Sequence, residues 1–283
     1  MVHVRTARLT QSDGARLFLT TNPSATAESK WYVEDVAGWY GGSGVRGDST
    51  GRLGHGNFVG RGYREGRTLT LNGWVTCADT DIRDWQERNL SGLMWDGDWG
   101  DLTCDDGNAT LSTRVRLDGS PQVVKIGLTS LQFQIPLVSE SPFLFGDWRE
   151  TLIKPVGAGV GMEFPLFGSG VLSYGSAVDT SEWIWNDGNA DSWPQFEVYS
   201  DSPSGFYVSL GGRRVTYPWA TFLEVPILVD MAGAMMVGGQ DQSHMLGERD
   251  WAAVPPKSIE SPSFGLLSGG TGWATVRHRD TYA

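Results

Sequence analysis

The sequence predicts a mostly β protein of two domains, an N-terminal β-sandwich carrying one packed α-helix followed by a C-terminal β-sandwich or jelly roll. Three observations predict it. Apolar residues alternate with period two through most of the patterned segments, as in half-buried strands. The chain combines 38 glycines with 13 tryptophans, the first suited to tight turns and the second to large flat apolar surfaces. Only one segment shows helical spacing. With 283 residues, 40% of them hydrophobic, the chain is long enough for two domains, each with its own core.

Strands are predicted at 4–10, 15–20, 30–37 and 66–76. Within 80–94, Ile82, Trp85, Leu90 and Leu93 fall on one helical face, and Thr80 or Asp81 can cap its start. From Leu111 to Asp118 the odd positions can face a core and the even ones water. Asp118-Gly119-Ser120-Pro121 then turns the chain into a second strand, 122–135. Val124, Ile126 and Leu128 are in one phase there and Leu131, Phe133 and Ile135 in the other, which a β-bulge near Thr129-Ser130 would reconcile.

Between 136 and 175 the pattern weakens. Pro136, Pro142, Pro155, Pro165 and the run Gly157 to Gly161 read as a Gly/Pro-rich linker, with domains placed at 1–160 and 161–283. Short strands return beyond about 176, at Phe196 to Tyr199, Phe206 to Leu210, Arg213 to Tyr217, Leu223 to Asp230 and Gly272 to Arg279. Gly211-Gly212 marks a hairpin between two of them.

The net charge is −11 with 22 Lys plus Arg against 33 Asp plus Glu, so general nucleic-acid binding is excluded as the main task. Met1 to Arg5 lacks the apolar run of a signal peptide, and no stretch approaches the roughly 18 apolar residues of a membrane span. A soluble chain made in a cytoplasm, with no membrane insertion, is therefore expected. Cys77 and Cys104 do not make a disulfide framework or a metal motif, and whether they pair is left open. His3, His55, His244 and His278 are scattered without ligand spacing, and no nucleophile elbow occurs. No cofactor, metal or catalytic constellation is predicted.

The segment 41–66 holds ten glycines, with Arg46, Arg52, His55, Arg61 and Arg64. It reads as a long loop without secondary structure, a length uncommon inside a compact domain unless a partner orders it. Contact with a neighbouring subunit through its arginines is favoured over a merely solvated loop. The tripeptide Arg46-Gly47-Asp48 is a chance match, and Gly54-His55-Gly56-Asn57 lacks the context of a phosphate loop.

Two further constellations hold chemistry-bearing residues. Met94-Trp95-Asp96-Gly97-Asp98-Trp99 places carboxylates beside aromatic platforms, as a glycosidase does. Aspartates beside glycine more commonly build turns, and the run lacks the spacing of a calcium loop. Trp183, Trp185 and Trp193, among Glu182, Asp187, Asn189 and Asp191, could stack on sugar rings. Core filling is the preferred reading of these tryptophans.

Three stretches in order resemble the distal tail proteins of long-tailed bacteriophages, the minor tail proteins at the baseplate or tail tip. They are Tyr32-Val33-Glu34-Asp35-Val36-Ala37-Gly38-Trp39-Tyr40-Gly41-Gly42 with the loop ending at Arg67 to Gly73; Asp187 to Phe196; and Gly272 to Tyr282, where His278 stands at a position often aromatic in the family. The resemblance implies a non-enzymatic virion protein with a ring-forming N-terminal domain, commonly hexameric. It also implies an outer C-terminal sandwich like galectins or carbohydrate-binding modules, which does not of itself imply sugar binding. The implied partners are further copies of the chain, the tail tube, tail-tip proteins, DNA in transit through the lumen and host-surface carbohydrate. The implied location is the virion, after assembly in the host cytoplasm. The alternative is a carbohydrate-binding protein without ring assembly.

Overall fold

The computed structural model describes residues 4–155 and 182–283 except Ala25, Gly42, Ser43, Asp48, Leu53 and Gly54. The chain divides into two compact units, 1–147 with Tyr282 and Ala283, and 148–281. The fold is mostly β, as expected, with one α-helix among the described residues.

In the first unit the strands are β1 (Thr6–Thr10), β2 (Arg16–Thr20), β3 (Ser29–Ala37), β4 (Val45–Arg46), β5 (Ser49–Gly51), β6 (Asn57–Val59), β7 (Tyr63–Arg64) and β8 (Arg67–Cys77). After α1 (Thr80–Ser91) come β9 (Gly100–Asp105), β10 (Thr110–Leu117), β11 (Gln122–Lys125), β12 (Ser130–Ser139) and β13 (Leu144–Phe145). Hydrogen bonding runs β12, β8, β3, β2, β1, β9, β10, and β10 pairs back to β12. The sandwich is thus a sheet closed on itself. Closure is weakest where β2 and β3 meet in parallel at Thr20 and Tyr32 alone.

Alternation delivers the core. In β8, Leu69, Leu71, Val75 and Cys77 point inward, facing Leu131, Phe133, Ile135 and Leu137 of β12 and Leu9, Leu19 and Leu102 from the other strands. Gly73 lies opposite a register shift in β3 between Val33 and Asp35, where a Cβ would collide with the Tyr32 carbonyl and the Phe133 ring. The chain bulges there, not near Thr129-Ser130.

Three local expectations are corrected. The segment 122–135 is a hairpin, not one bulged strand: β11 pairs with β12 from Gln122 opposite Gln134 to Lys125 opposite Leu131, closed by Ile126 N–H to Ser130 O at 3.1 Å. The phase change between Leu128 and Leu131 is the reversal of the chain. Val124, Ile126 and Leu128 stay exposed.

Helix α1 ends at Ser91, three residues earlier than read, where Gly92 leaves helical geometry with φ −93° and ψ 4°. Its cap is Asp79, whose side chain accepts from Ile82 N–H at 2.8 Å, rather than Thr80 or Asp81. The helix packs through Ile82, Gln86, Leu90 and nearby Leu93, and Trp85 falls on its flank, exposed. Gln86 is tolerated inside because its Nε2 donates to Ser29 Oγ at 3.1 Å.

The unit boundary falls at Asp147/Trp148 instead of 160/161. Strand β14 (Arg149–Ile153) pairs along β25 (Thr271–His278), from Arg149 opposite His278 to Ile153 opposite Ala274, and so belongs to the second unit. Pro136 lies within β12, opposite Thr70. The linker glycines 157–161 and Pro165 lie outside the described residues.

The second unit adds β15 (Ile184–Asn186), β16 (Gln195–Asp201), β17 (Phe206–Leu210), β18 (Arg213–Tyr217), β19 (Ile227–Asp230), β20 (Ala234–Val237), β21 (Gln240–Asp241), β22 (Glu248–Arg249), β23 (Ser258–Glu260) and β24 (Ser263–Leu266). One sheet runs β14-β25-β16-β19-β20-β21 and the other β22-β18-β17-β24, with β15 and β23 paired separately. Phe196, Val198, Val229, Ala274 and Val276 from the first sheet share one core with Phe206, Val208, Val215 and Phe264 from the second. Gly211 and Gly212 both take positive φ, 57° and 79°, and join Leu210 to its register partner Arg213, the two-residue turn that fits strand twist.

Cys77 and Cys104 are free thiols buried in the first core, and burial pushes both thiols above their usual range. We expect neither to react with a thiol-specific disulfide reagent in the native protein and both to react in denaturant. Fast native labelling of either would contradict the packing.

Candidate functional site

The segment that follows β3 leaves the sheet as an arm, and its root is anchored by buried Trp39 and Arg67. Trp39 is fully buried in the core. Tyr40 beside it donates its hydroxyl to Asp106 Oδ2 at 2.6 Å. Burial and this carboxylate push the phenol well above its ordinary range, while the Tyr40 hydroxyl and the Ala109 N–H hold Asp106 below its own. Gly38 has φ +81°, and a Cβ there would strike the Thr68 carbonyl; a Cβ on Gly66 would strike the Ser139 carbonyl. Both ends of the arm therefore need glycine.

Between these glycines sits Arg67, 2% exposed. Its Nε donates to the Pro142 carbonyl at 2.7 Å, and its Nη1 to the carbonyls of Trp39 at 2.7 Å and Gly38 at 3.3 Å. The guanidinium thus ties the outgoing chain to the loop after β12. Desolvation lowers its pKa, with Arg64 adding repulsion.

The arm is not the loop read from its glycines. It is a two-stranded ribbon in two sections. Strands β4 and β7 pair Val45 with Arg64 and Arg46 with Tyr63. Strands β5 and β6 pair Ser49 with Val59, Thr50 with Phe58 and Gly51 with Asn57, and Arg52 N–H to Gly56 O closes the tip at 3.2 Å. The glycines disguised this by interrupting the alternation of side chains, while leaving the backbone free to pair.

On this ribbon Arg52 stacks over Phe58 at 4.4 Å and Arg61 over Tyr63 at 5.6 Å. Arg46 faces Glu65 at 3.2 Å, both exposed, a pairing worth little in water. His55 sits exposed at the tip. Val45, Phe58, Val59 and Tyr63 are also exposed, Val59 at 75%. These four apolar side chains were not singled out from sequence. Their signal was the adjacent pair Phe58-Val59 on β6 and the presence of Val45 and Tyr63 on the two strands of the inner section.

The acidic run is a turn at Met94 to Gly97, closed by the Gly97 N–H on the Met94 carbonyl at 3.0 Å, that leads into β9 at Gly100. Asp96 Oδ1 accepts from Asp98 N–H at 3.1 Å and Oδ2 from Ser12 Oγ at 2.8 Å, and these bonds, the backbone one first, hold Asp96 below the usual carboxylate range. A glycosidase's proton donor requires the opposite shift.

Trp183, Trp185 and Trp193 lie on the second unit and none fills its core; they are 56%, 39% and 36% exposed. Trp185 carries Arg149 over its ring at 4.6 Å and meets the His278 ring edge-on at 5.2 Å. Arg149 bonds the Asp280 carboxylate through both terminal nitrogens, at 2.7 and 3.1 Å. Asn186, fully buried, organises the adjoining turn: it donates to the Ala190 and Val254 carbonyls and accepts from Gly188 and Thr281 N–H. His278 is buried, and its pKa is lowered to about 4, first by burial and then by Arg149.

No family model matches the chain, and no curated protein sequence matches it. Solved structures do. The SPP1 Dit (gp 19.1) protein, described as a paradigm of the hub adsorption apparatus in phages that infect Gram-positive hosts, superposes with a TM-score of 0.63 at 14% identity, covering 98% of this chain and 99% of that one. A chain of the phage P2 baseplate in its activated conformation with Ca gives a TM-score of 0.50 at 10% identity, covering 98% of each chain. These likenesses show that the chain has the fold of phage hub and baseplate proteins over nearly its full length.

Two outcomes follow from this chemistry. Replacing Arg67 by Met leaves the buried Trp39 carbonyl and the part-buried Gly38 and Pro142 carbonyls without this donor, and we expect a loss of about 2–4 kcal/mol by urea unfolding, with faster proteolysis between 44 and 62. Because the His278 pKa is about 4 folded against roughly 6.5 unfolded, the unfolded chain takes up the proton first as pH falls. Its contribution is complete above pH 6.5 and is lost toward pH 4, by up to roughly 3 kcal/mol. Unfolding curves of wild type and His278→Phe across that window check it, since the variant lacks this slope.

Proposed function

We propose that this chain is a structural, non-enzymatic phage tail protein that forms a homo-oligomeric ring of six subunits at the distal end of the tail. The ring joins the tail tube to the tail-tip host-recognition apparatus in the virion and lets DNA pass through its lumen. The observation that carries this reading is the likeness to SPP1 Dit across 98% of the chain, since a fold match spanning both units is harder to attribute to one common module.

The arm supplies the mechanism of assembly. An isolated two-stranded ribbon is marginally stable in water, and this one exposes Val45, Phe58, Val59 and Tyr63. Laid against a neighbouring subunit or the tail tube, those side chains are covered, and Arg46, Arg52, Arg61 and Arg64 meet acidic surface. A contact that persists in a virion buries roughly 1,200 Å² or more. The charge of −11 suits a conduit, because a lumen lacking a basic stripe does not grip the duplex.

Native mass spectrometry tests the reading. Six copies of the 30.9 kDa chain give a species of about 185 kDa with a central hole by negative stain. Deleting 44–62 is expected to leave folded monomers with an unchanged far-UV spectrum. A full-length protein that stays monomeric both alone and with purified tail tubes would remove the ring; unchanged assembly of the deletion would remove the arm's role in it.

A further inference from the structure

The outer face of the second unit's larger sheet is both apolar and acidic. Alternation along β16 turns Phe196, Val198 and Ser200 inward, so Glu197, Tyr199 and Asp201 face outward. Register extends the face to either side. Tyr199 lies opposite Trp273 of β25, Glu197 opposite Leu228 of β19, Leu228 opposite Met236 of β20, and Met236 opposite Asp241 of β21. Asp230 stands two residues beyond Leu228 on the same side.

Trp273 and Met236 are exposed, and Trp273 stacks on Tyr199 with centroids 5.3 Å apart and planes 12° from parallel. The carboxylates around them have neutral partners. The Tyr199 hydroxyl donates to Glu197 Oε1 at 2.9 Å, the Gln195 amide to Asp230 Oδ2 at 2.9 Å and the Ser243 N–H to Asp241 Oδ1 at 2.8 Å. Strands β16, β19, β20 and β21 hold Glu197, Asp201, Asp230 and Asp241 and no lysine or arginine. The cations of the sheet gather on its β14 side, where Arg277 pairs with Glu150 at 3.3 Å, Arg277 and Arg279 lie over Trp148 and Lys154 follows the strand.

We propose, resting on the homo-oligomeric reading above, that this face receives the arm of a second copy. The arm is its complement, with Arg52 over Phe58, Arg61 over Tyr63 and exposed Val45 and Val59 on the same ribbon. Phe58 and Tyr63 pack against the Tyr199–Trp273 stack, and the unbranched Met236 adapts to the gap that remains. The guanidinium edges not used in stacking meet the carboxylates. Each carboxylate then gains a cation as it loses water, the condition under which a charged interface is not prohibitively costly. Two recesses of the first unit fit the arm less well. The groove between β2 and α1, about 590 Å³, exposes Phe18 and Trp85, but Arg16 is the one charged residue among the described residues lining it, and it repels a cationic ribbon. The cleft of about 430 Å³ beside Glu34 and Asp35 is acidic, yet Tyr40 is the one exposed large side chain of apolar character among its described lining.

The test mixes two full-length copies. One carries Thr50→Cys, opposite Phe58 on the ribbon, and the other Ala234→Cys, opposite Asp230 on the face; the native cysteines are buried. A short bismaleimide is expected to give a covalent dimer from the mixture and far less from either copy alone, read on a denaturing gel beside native mass spectrometry of the same sample. Glu197→Lys with Asp201→Lys in the second copy is expected to lower the dimer yield about tenfold, as is Arg52→Glu with Arg61→Glu in the first. Mixing the reversed face with the reversed arm is expected to recover it, with thermal unfolding of every variant close to wild type. A six-copy species without the cross-link would overturn this contact and leave the ring standing, whereas the cross-link without a closed species would keep the contact and remove the ring. A cross-link confined within single chains that carry both cysteines, or a dimer yield unmoved by both charge reversals, would also overturn the contact.

Discussion

The first unit depends on a single buried cation. Arg67 opens β8, the strand with the longest pairing in the sheet, and its guanidinium is taken out of water beside the root of the arm. Such burial is costly unless the donors are met. Here they meet main-chain carbonyls of Gly38, Trp39 and Pro142, groups whose positions are set by the backbone and not by mobile side chains. A planar fork of donors can hold diverging segments in one geometry, which a lysine's point charge could not. The root is therefore rigid while the arm it holds has no core of its own.

That contrast follows from the closed sheet. Once β10 pairs back to β12, the strands in the circuit have neighbours on both sides, and a closed sheet offers few free edges for joining to another chain. In the proposed ring, the first unit offers outside this circuit the arm, the β11–β12 hairpin with its exposed Val124, Ile126 and Leu128, and the wedge where β2 and β3 part. The arm carries an apolar and a cationic component together, with Arg52 over Phe58 and Arg61 over Tyr63. The guanidiniums are held over Phe58 and Tyr63, so part of the ordering cost of an interface is met before contact.

The legible parts of the fold were those where one physical signal dominated. Period-two burial in β8, β10 and β16 and the Gly211-Gly212 turn read directly, because a single alternation or a demand for positive φ decided them. Where two signals competed, the weaker in sequence won in space. The phase change at 128–131 looked like a bulge because both halves alternate, and only the pairing of β11 with β12 shows that the chain turns back. Glycines of the arm argued for a loop, yet a ribbon of short sections needs only backbone pairing and tolerates glycine at each interruption. Trp85 suited the helix face by type and lost its place to Gln86 by angle. Arg67 was hidden inside a strand motif, since nothing in a sequence distinguishes an arginine that meets carbonyls from one that meets water.

Charge distribution connects these local facts to assembly. The arm, 41–66, holds Arg46, Arg52, Arg61 and Arg64 against Asp48 and Glu65, a net of +2 in a chain of net −11. A cationic projection on an acidic molecule is attracted to acidic surface, and in a solution of identical chains each copy presents such a surface. Arg67 fixes the base of the arm to its own unit, while no core anchors the ribbon's outer section, so the energetic gain available to Val45, Phe58, Val59 and Tyr63 lies in burial against something beyond the ribbon itself. A heterologous contact of that kind, projection to body, repeats from copy to copy and closes when the rotation between neighbours divides the circle. The same reasoning explains why the arm can be apolar without being a general aggregation hazard: its strands are short, interrupted by glycine and edged with arginine, so only a surface that is both apolar and acidic covers it well.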